Sequence, residues 1–235
     1  MKNISWILFD CMETLVDLTE LPGLKGYALW AYEGSGVEGL WDGFEDFYES
    51  YKYAIEVIAN KLPQGKEYEV YERLQMVAGL KICNKDEQAV QKIADCLYKN
   101  FWDTYKSKCY VRNDVKEIIT ELTKKYNLGV VSNFMVSGGI EELLKTNGIY
   151  KYFDFIITSI NEGWKKPHYN IYKAAIDKAD VPLSKILFVG DDFKNDYITP
   201  KELGLRTVLL DRAEKYLHVK HRVTNFYMLR DLISY

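Results

Sequence analysis

The feature that most constrains this chain is a rhythm. Five short apolar runs recur along it: ISWILF (4–9), LGVVS (128–132), FDFIITS (153–159), KILFVG (185–190) and LRTVLL (205–210). Each is rich in β-formers, nearly continuous in apolar side chains, and followed by polar or glycine-containing residues. Runs without polar alternation suit strands covered on both faces, as in a parallel sheet between helices. Helical patterns fill the intervals. In VKEIITELTKKYN, Val115, Ile118, Ile119 and Leu122 recur at i, i+3, i+4 and i+7, with Asn113 or Asp114 placed to cap the start. GIEELLKTNGI follows the second run and stops at Asn147-Gly148. YNIYKAAIDKAD follows Pro167, and DYITPKELG precedes the last run. This alternation predicts a doubly wound α/β fold.

One segment breaks the rhythm. From residue 18 to 106 no strand is evident, only aromatic-rich helical patterns punctuated at Gly34-Ser35-Gly36 and Pro63-Gln64-Gly65. The expected architecture is a Rossmann-like, doubly wound parallel sheet core (1–17 and 107–235) with an inserted α-helical cap domain (18–106). Trp30, Tyr32, Trp41, Phe44, Phe47, Tyr48 and Tyr51 of the insertion either line a pocket or pack its helices; packing is the preferred reading.

Composition narrows the function classes. The 31 basic and 34 acidic side chains give a net charge of −3, with no electrostatic reason to expect nucleic acid or an anionic membrane as partner. Cys11, Cys83, Cys96 and Cys109 show no metal-ligand spacing and read as reduced thiols of a cytoplasmic protein. Cys11 reads as a small buried neighbour of Asp10. No apolar stretch approaches a membrane-spanning length.

In doubly wound sheets, ligands bind outside the carboxyl ends of the strands. The loops expected there carry a consistent chemistry. Asp10-Cys11-Met12-Glu13-Thr14 follows the first run, Ser132-Asn133 ends the second, and GDDFKND (190–196) follows the fourth. EGWKKP adds Lys165 and Lys166. Acids, a hydroxyl and a lysine at one sheet edge make a site for Mg2+ and a phosphoryl group. Singly, each has an ordinary explanation: Thr14 and Ser132 as caps, Lys166 as a solvated charge, Asp196 as a helix N-cap.

Taken in order, the Asp10 loop with Thr14, VVSN (130–133), KP (166–167) and VGDDFKND (189–196) resemble the motifs of the haloacid dehalogenase (HAD) superfamily, in its subfamily with a helical cap after the first strand. The resemblance spans the whole chain. It implies that Asp10 is a nucleophile forming an aspartyl ester and that Ser132 binds phosphoryl oxygens. It further implies that Lys166 neutralises Asp10 and the transferring group. Asp10, Asp191, Asp196 and the Met12 carbonyl would hold or support Mg2+. The expected partner is a small phosphorylated metabolite.

One position departs from the pattern. Where the family's phosphatases have a general acid/base Asp, this chain has Met12. A methionine keeps the backbone carbonyl and loses the proton shuttle, a loss of roughly 10²–10⁴ in rate. Glu13 is the nearest carboxylate that could substitute. Two other readings stay open: a dehalogenase-type hydrolase, whose halide leaving group needs no proton, and an impaired phospho-ligand binder. Against the dehalogenase stand the retained Asp191 and Asp196 and the first arginine falling only at Arg73. A Schiff-base role for Lys52 is disfavoured by its surroundings, SYKYAIE, which read as a plain helix face.

Overall fold

The computed structural model describes residues 3–82 and 86–234. Their strands, in chain order, are β1 (Trp6–Phe9), β2 (Asp17–Leu18), β3 (Cys109–Tyr110), β4 (Asn127–Ser132), β5 (Phe155–Thr158), β6 (Ile186–Gly190), β7 (Arg206–Leu210) and β8 (Arg222–Val223). Six form one parallel sheet, ordered β5–β4–β1–β6–β7–β8, while β2 and β3 pair separately. The chain moves outward from β1 through β4 to β5, then crosses back to β6 on the other side of β1. Strand order therefore reverses beside β1, and the carboxyl ends of β1, β4 and β6 border the switch point.

The apolar runs form strands because both faces are covered. All four residues of β1 and all five of β6 are buried. Phe9 lies opposite Val130 on one side and Val189 on the other, in register. Trp6, Leu8, Val131, Phe188 and Tyr172 share one core cluster.

The chain divides into two compact units, Met1–Leu18 with Tyr110–Tyr235, and Thr19–Cys109. The second unit holds α1 (Gly23–Tyr32), α2 (Phe44–Lys61), α3 (Val70–Gly79) and α4 (Glu87–Lys108). Its aromatic side chains pack against one another. Phe47 and Tyr51 are fully buried, and the Phe47 ring lies 5.0 Å from those of Tyr32 and Trp41. Arg73 is also interior, donating to the hydroxyls of Tyr51 (2.8 Å) and Tyr68 (2.6 Å). Lys52 is half-buried and pairs with Glu49 one turn away, as a plain helix face would have it.

In the α/β unit, α5 (Asn113–Leu122) buries Val115, Ile118, Ile119 and Leu122. Its expected cap is not made. Arg112 occupies the cap position, while Asp114 accepts from the Phe226 N–H at the start of α10 (Phe226–Ser234). A carboxylate near that helix N-terminus satisfies an orphan amide there instead. Helix α6 (Gly139–Thr146) ends at Asn147, with Gly148 at φ +76°. After the short α7 (Ser159–Glu162), α8 (Tyr169–Ala179) starts behind Pro167. The expected helix in DYITPKELG is divided. A π-helical turn, Phe193–Ile198, runs into α9 (Thr199–Glu202), whose first turn accepts Pro200 without losing a hydrogen bond.

Strand β8 and helix α10 complete the fold beyond the expected elements. Cys11, Cys96 and Cys109 form no disulfide, and Cys83 lies outside the described residues. Among the described residues, no helix is long and apolar enough to cross a membrane.

Candidate active site

Asp10 stands one residue past β1. Its N–H donates to the Val189 carbonyl at 2.9 Å, extending the β1–β6 ladder by one step and fixing the carboxylate at the sheet edge. The loop then turns tightly about the Cys11 carbonyl, which accepts from Leu15 (2.8 Å) and Val16 (2.9 Å). Glu13 takes the left-handed conformation at φ +58°. Arg212, past the end of β7, braces this turn: it donates to the carbonyls of Glu13 and Thr14 and to Asp17 Oδ1 (3.1 Å). Arg112 holds the other oxygen of Asp17, which is buried. Sequence reasoning missed this bracket; its one local signal is an aspartate inside the apolar TLVDL.

The loop after β6 is equally determined. A β-carbon on Gly190 would stand 2.3 Å from Asp196 Oδ2, so glycine is what lets that carboxylate lie against the strand end. Asp192 caps the π-helical turn by accepting from the Asn195 N–H (2.7 Å), the role sequence reasoning offered to Asp196. Asp196 is instead buried and accepts from Lys166 Nζ through Oδ1 (2.7 Å) and from the Asp192 N–H through Oδ2 (3.0 Å). Tyr172 on α8 anchors the turn by donating to the Asn195 carbonyl at 2.6 Å. Burial pushes the Tyr172 hydroxyl up, keeping it a neutral donor.

Lys166 joins the two loops. Its ammonium stands 2.7 Å from Asp10 Oδ1 and 2.7 Å from Asp196 Oδ1, and the residue is only 4% exposed. Burial alone would lower its pKa; the Asp10 and Asp196 carboxylates outweigh that and hold it well above the usual lysine range. Lys165 is half-buried and stays outside the cluster. Thr14 Oγ1 donates to Asp191 Oδ1 at 3.2 Å. Burial raises the Asp191 pKa, and the charges of Asp10 and Asp196 raise it further. Beside them the Ser132 hydroxyl is buried with no hydrogen-bond partner.

These groups border a cavity of about 160 Å³, lined by Asp10, Asp191, Asp192 and Asp196 with Met12, Ser132, Asn133, Lys166 and Asn195. That is below the roughly 300–1,000 Å³ of drug-sized ligand sites and suits the reacting head of a substrate. A family model described as haloacid dehalogenase-like hydrolase matches residues 39–210. The chain belongs to that family.

Relatives sharpen the picture. The zebrafish (Danio rerio) haloacid dehalogenase-like hydrolase domain-containing protein 3 is 28% identical over 218 residues, covering 90% of this chain and 86% of its own length. A glyceraldehyde 3-phosphate phosphatase of Pyrococcus abyssi is 29% identical over 205 residues, covering 87% and 80%. Among solved structures, the 2-haloacid dehalogenase of Pseudomonas syringae has the same fold, with a TM-score of 0.78 over 98% of both chains at 18% identity.

Met12 presents an apolar side chain at the cavity wall. Glu13 is turned away from that wall. Its Oε1 accepts from the Leu18 N–H at 3.1 Å, and the residue does not line the cavity. The donor set of the site fits a hard divalent cation. Asp10, Asp191 and Asp196 each offer an oxygen within 4.8 Å of the others, and no histidine or cysteine joins them among the described residues. Three carboxylates against one lysine leave an excess of negative charge that a dication would balance.

Proposed function

We propose that this hydrolase cleaves a small phosphorylated metabolite through an aspartyl-phosphate on Asp10, with Mg2+ as cofactor. One observation carries the reading: a buried lysine joins Asp10 to Asp196 directly beside a buried serine hydroxyl that has no partner. Ser132 supplies a donor for a phosphoryl oxygen, and a buried donor without a partner is costly unless a ligand satisfies it. Lys166 offsets the charge of the incoming group and orients the Asp10 carboxylate. An oxygen of that carboxylate attacks phosphorus, the leaving oxygen departs with its electron pair, and water then attacks phosphorus to free Asp10. Asp10, Asp191 and the Met12 carbonyl would hold Mg2+, with Asp196 supporting them. When bound, the ion supplies charge stabilisation for the phosphoryl oxygens. The phosphatase named among the relatives agrees with this class of substrate.

Met12 gives the reading its particular form. With no acid at that position and Glu13 turned to the Leu18 amide, the leaving group departs unprotonated. Substrates whose leaving group is a stable anion, such as acyl phosphates, are favoured. The same observation favours a second reading, hydrolysis of a carbon–halogen bond, in which the leaving halide needs no proton. The all-carboxylate cluster favours the first.

Phosphate release from a panel of phosphorylated metabolites, with Mg2+ and with chelator, tests the proposal. Metal-dependent release that disappears in Asp10→Asn is the expected outcome. Release insensitive to chelator and to Asp10→Asn overturns it, and halide release without phosphate release selects the second reading. Phosphate bound but never released assigns the chain to non-catalytic binding.

A further inference from the structure

We propose that Asn133 is a positioning residue that acts through Lys166, clasping its backbone so that the ammonium stands between Asp10 and Asp196; this rests on the phosphatase reading of the site. The Lys166 N–H donates to Asn133 Oδ1 at 2.6 Å, and Asn133 Nδ2 donates to the Lys166 carbonyl at 3.0 Å. One planar amide thus grips both polar backbone groups of a single residue, as a neighbouring strand would.

The clasp answers a specific difficulty. Lys166 lies in a loop between α7 and α8, with no ladder or helical turn of its own to fix it. Its side chain carries several free rotors, and ordering a lysine costs up to about 2 kcal/mol of entropy. Yet the ammonium must meet two carboxylates at 2.7 Å each. The Phe188 ring, 5.6 Å from Nζ, supports the side chain, and the His168 N–H closes a turn onto the Lys165 carbonyl at 2.9 Å, but neither contact reaches β4. Asn133 supplies that tie. Because it directly follows Ser132, the last residue of β4, it also sets the spacing between the serine hydroxyl and the lysine. Both groups are asked to meet the same phosphoryl oxygens.

A double-variant cycle separates this role from direct contact with the substrate, since Asn133 also borders the cavity. With p-nitrophenyl phosphate, Asn133→Ala is expected to lower kcat by about 10²-fold, the scale of a 1 Å misplacement. Inorganic phosphate affinity, measured by calorimetry, should weaken on Asn133→Ala in the parent and not change further in Lys166→Met. Equal weakening in both backgrounds would place Asn133 on the ligand itself and overturn the proposal, as would an unchanged kcat. Asn133→Asp, which keeps the acceptor for the Lys166 N–H, serves if the alanine variant does not fold, and should retain more activity.

Acetylation of Lys166 by acetic anhydride, followed by mass spectrometry, reads the clasp without turnover. Faster labelling in Asn133→Ala at unchanged Tm supports it, and an unchanged rate refutes it. A wild-type protein that releases no phosphate while Lys166 labels faster in the variant would refute the phosphatase reading and leave the clasp standing.

Discussion

Met12 is an apolar side chain at the wall of a cavity that four carboxylates share, and each of those acids has a partner or a position that gives it other work. Asp10 and Asp196 share Lys166, Asp191 accepts from Thr14, and Asp192 caps the turn after β6. In the proposed mechanism, the chemistry of the leaving group therefore turns on residue 12. In the wild type, kcat/KM should rise steeply as leaving-group pKa falls, because the leaving oxygen keeps its full negative charge. Met12→Asp supplies a proton donor and should raise turnover of alkyl phosphates by roughly 10²–10⁴ while changing acyl and aryl phosphates far less. A series of phosphate esters of graded leaving-group pKa, assayed on both proteins, measures this. Identical slopes would remove Met12 from the account. Much at this scale was legible in the chain itself, because Asp10, Ser132, Lys166 and Asp191 each sit at or near the end of an apolar run or beside a proline. What no local pattern announced was the direction of a side chain. Glu13 could be named as a surrogate acid, but only the left-handed turn at that residue and the Leu18 amide show that it points elsewhere.

Elements place these residues, and the bracing between elements is where sequence reading fell short. The five long runs were readable because burial on both faces leaves a continuous apolar signature. Strand β8 has two residues, too few to carry any periodicity, and the π-helical turn after β6 follows from hydrogen bonding at Asp192 and Asn195 that has no compositional signal. The Arg112–Asp17–Arg212 bracket joins Asp17 to residues 95 and 195 positions further along the chain, so nothing nearby in sequence reveals it. That bracket makes its own prediction. Arg212 donates to two carbonyls of the Asp10 loop and to a buried carboxylate. Arg212→Ala should destabilise the protein by about 1.5–3 kcal/mol, the range for hydrogen bonds involving charged groups. Because the loop carries Asp10, the nucleophile of the proposed mechanism, kcat should fall as well, with KM less affected. Urea denaturation and steady-state kinetics on one preparation check both. A variant as stable and as active as the parent would show that the turn about the Cys11 carbonyl suffices to hold Asp10.

Across the whole molecule, the chemistry and the insertion separate. Every residue assigned to the site lies in the unit formed by Met1–Leu18 and Tyr110–Tyr235, and the helical unit Thr19–Cys109 has an aromatic interior of its own. The α/β unit is on the order of 140 residues, a size at which a domain buries about two-thirds of its unfolded surface and folds independently. Its two ends at the insertion, Leu18 and Tyr110, belong to the paired strands β2 and β3, so a short glycine-containing turn can join them. Replacing residues 19–109 by such a turn should leave a protein that unfolds cooperatively. It should keep the acidic cluster, since Asp10, Lys166, Asp191 and Asp196 are held by β1, β6 and the loops between them. A cation that binds the folded state alone stabilises it by about 2.7 kcal/mol at a hundredfold excess over Kd, so Mg2+ should raise Tm in the shortened and the intact protein by similar amounts. Chelator should reverse both shifts, and Asp191→Asn should abolish them. If the shortened protein folds but shows no Mg2+ shift while the intact one does, the helical unit takes part in building the cation site, and the site is not the property of the sheet edge alone.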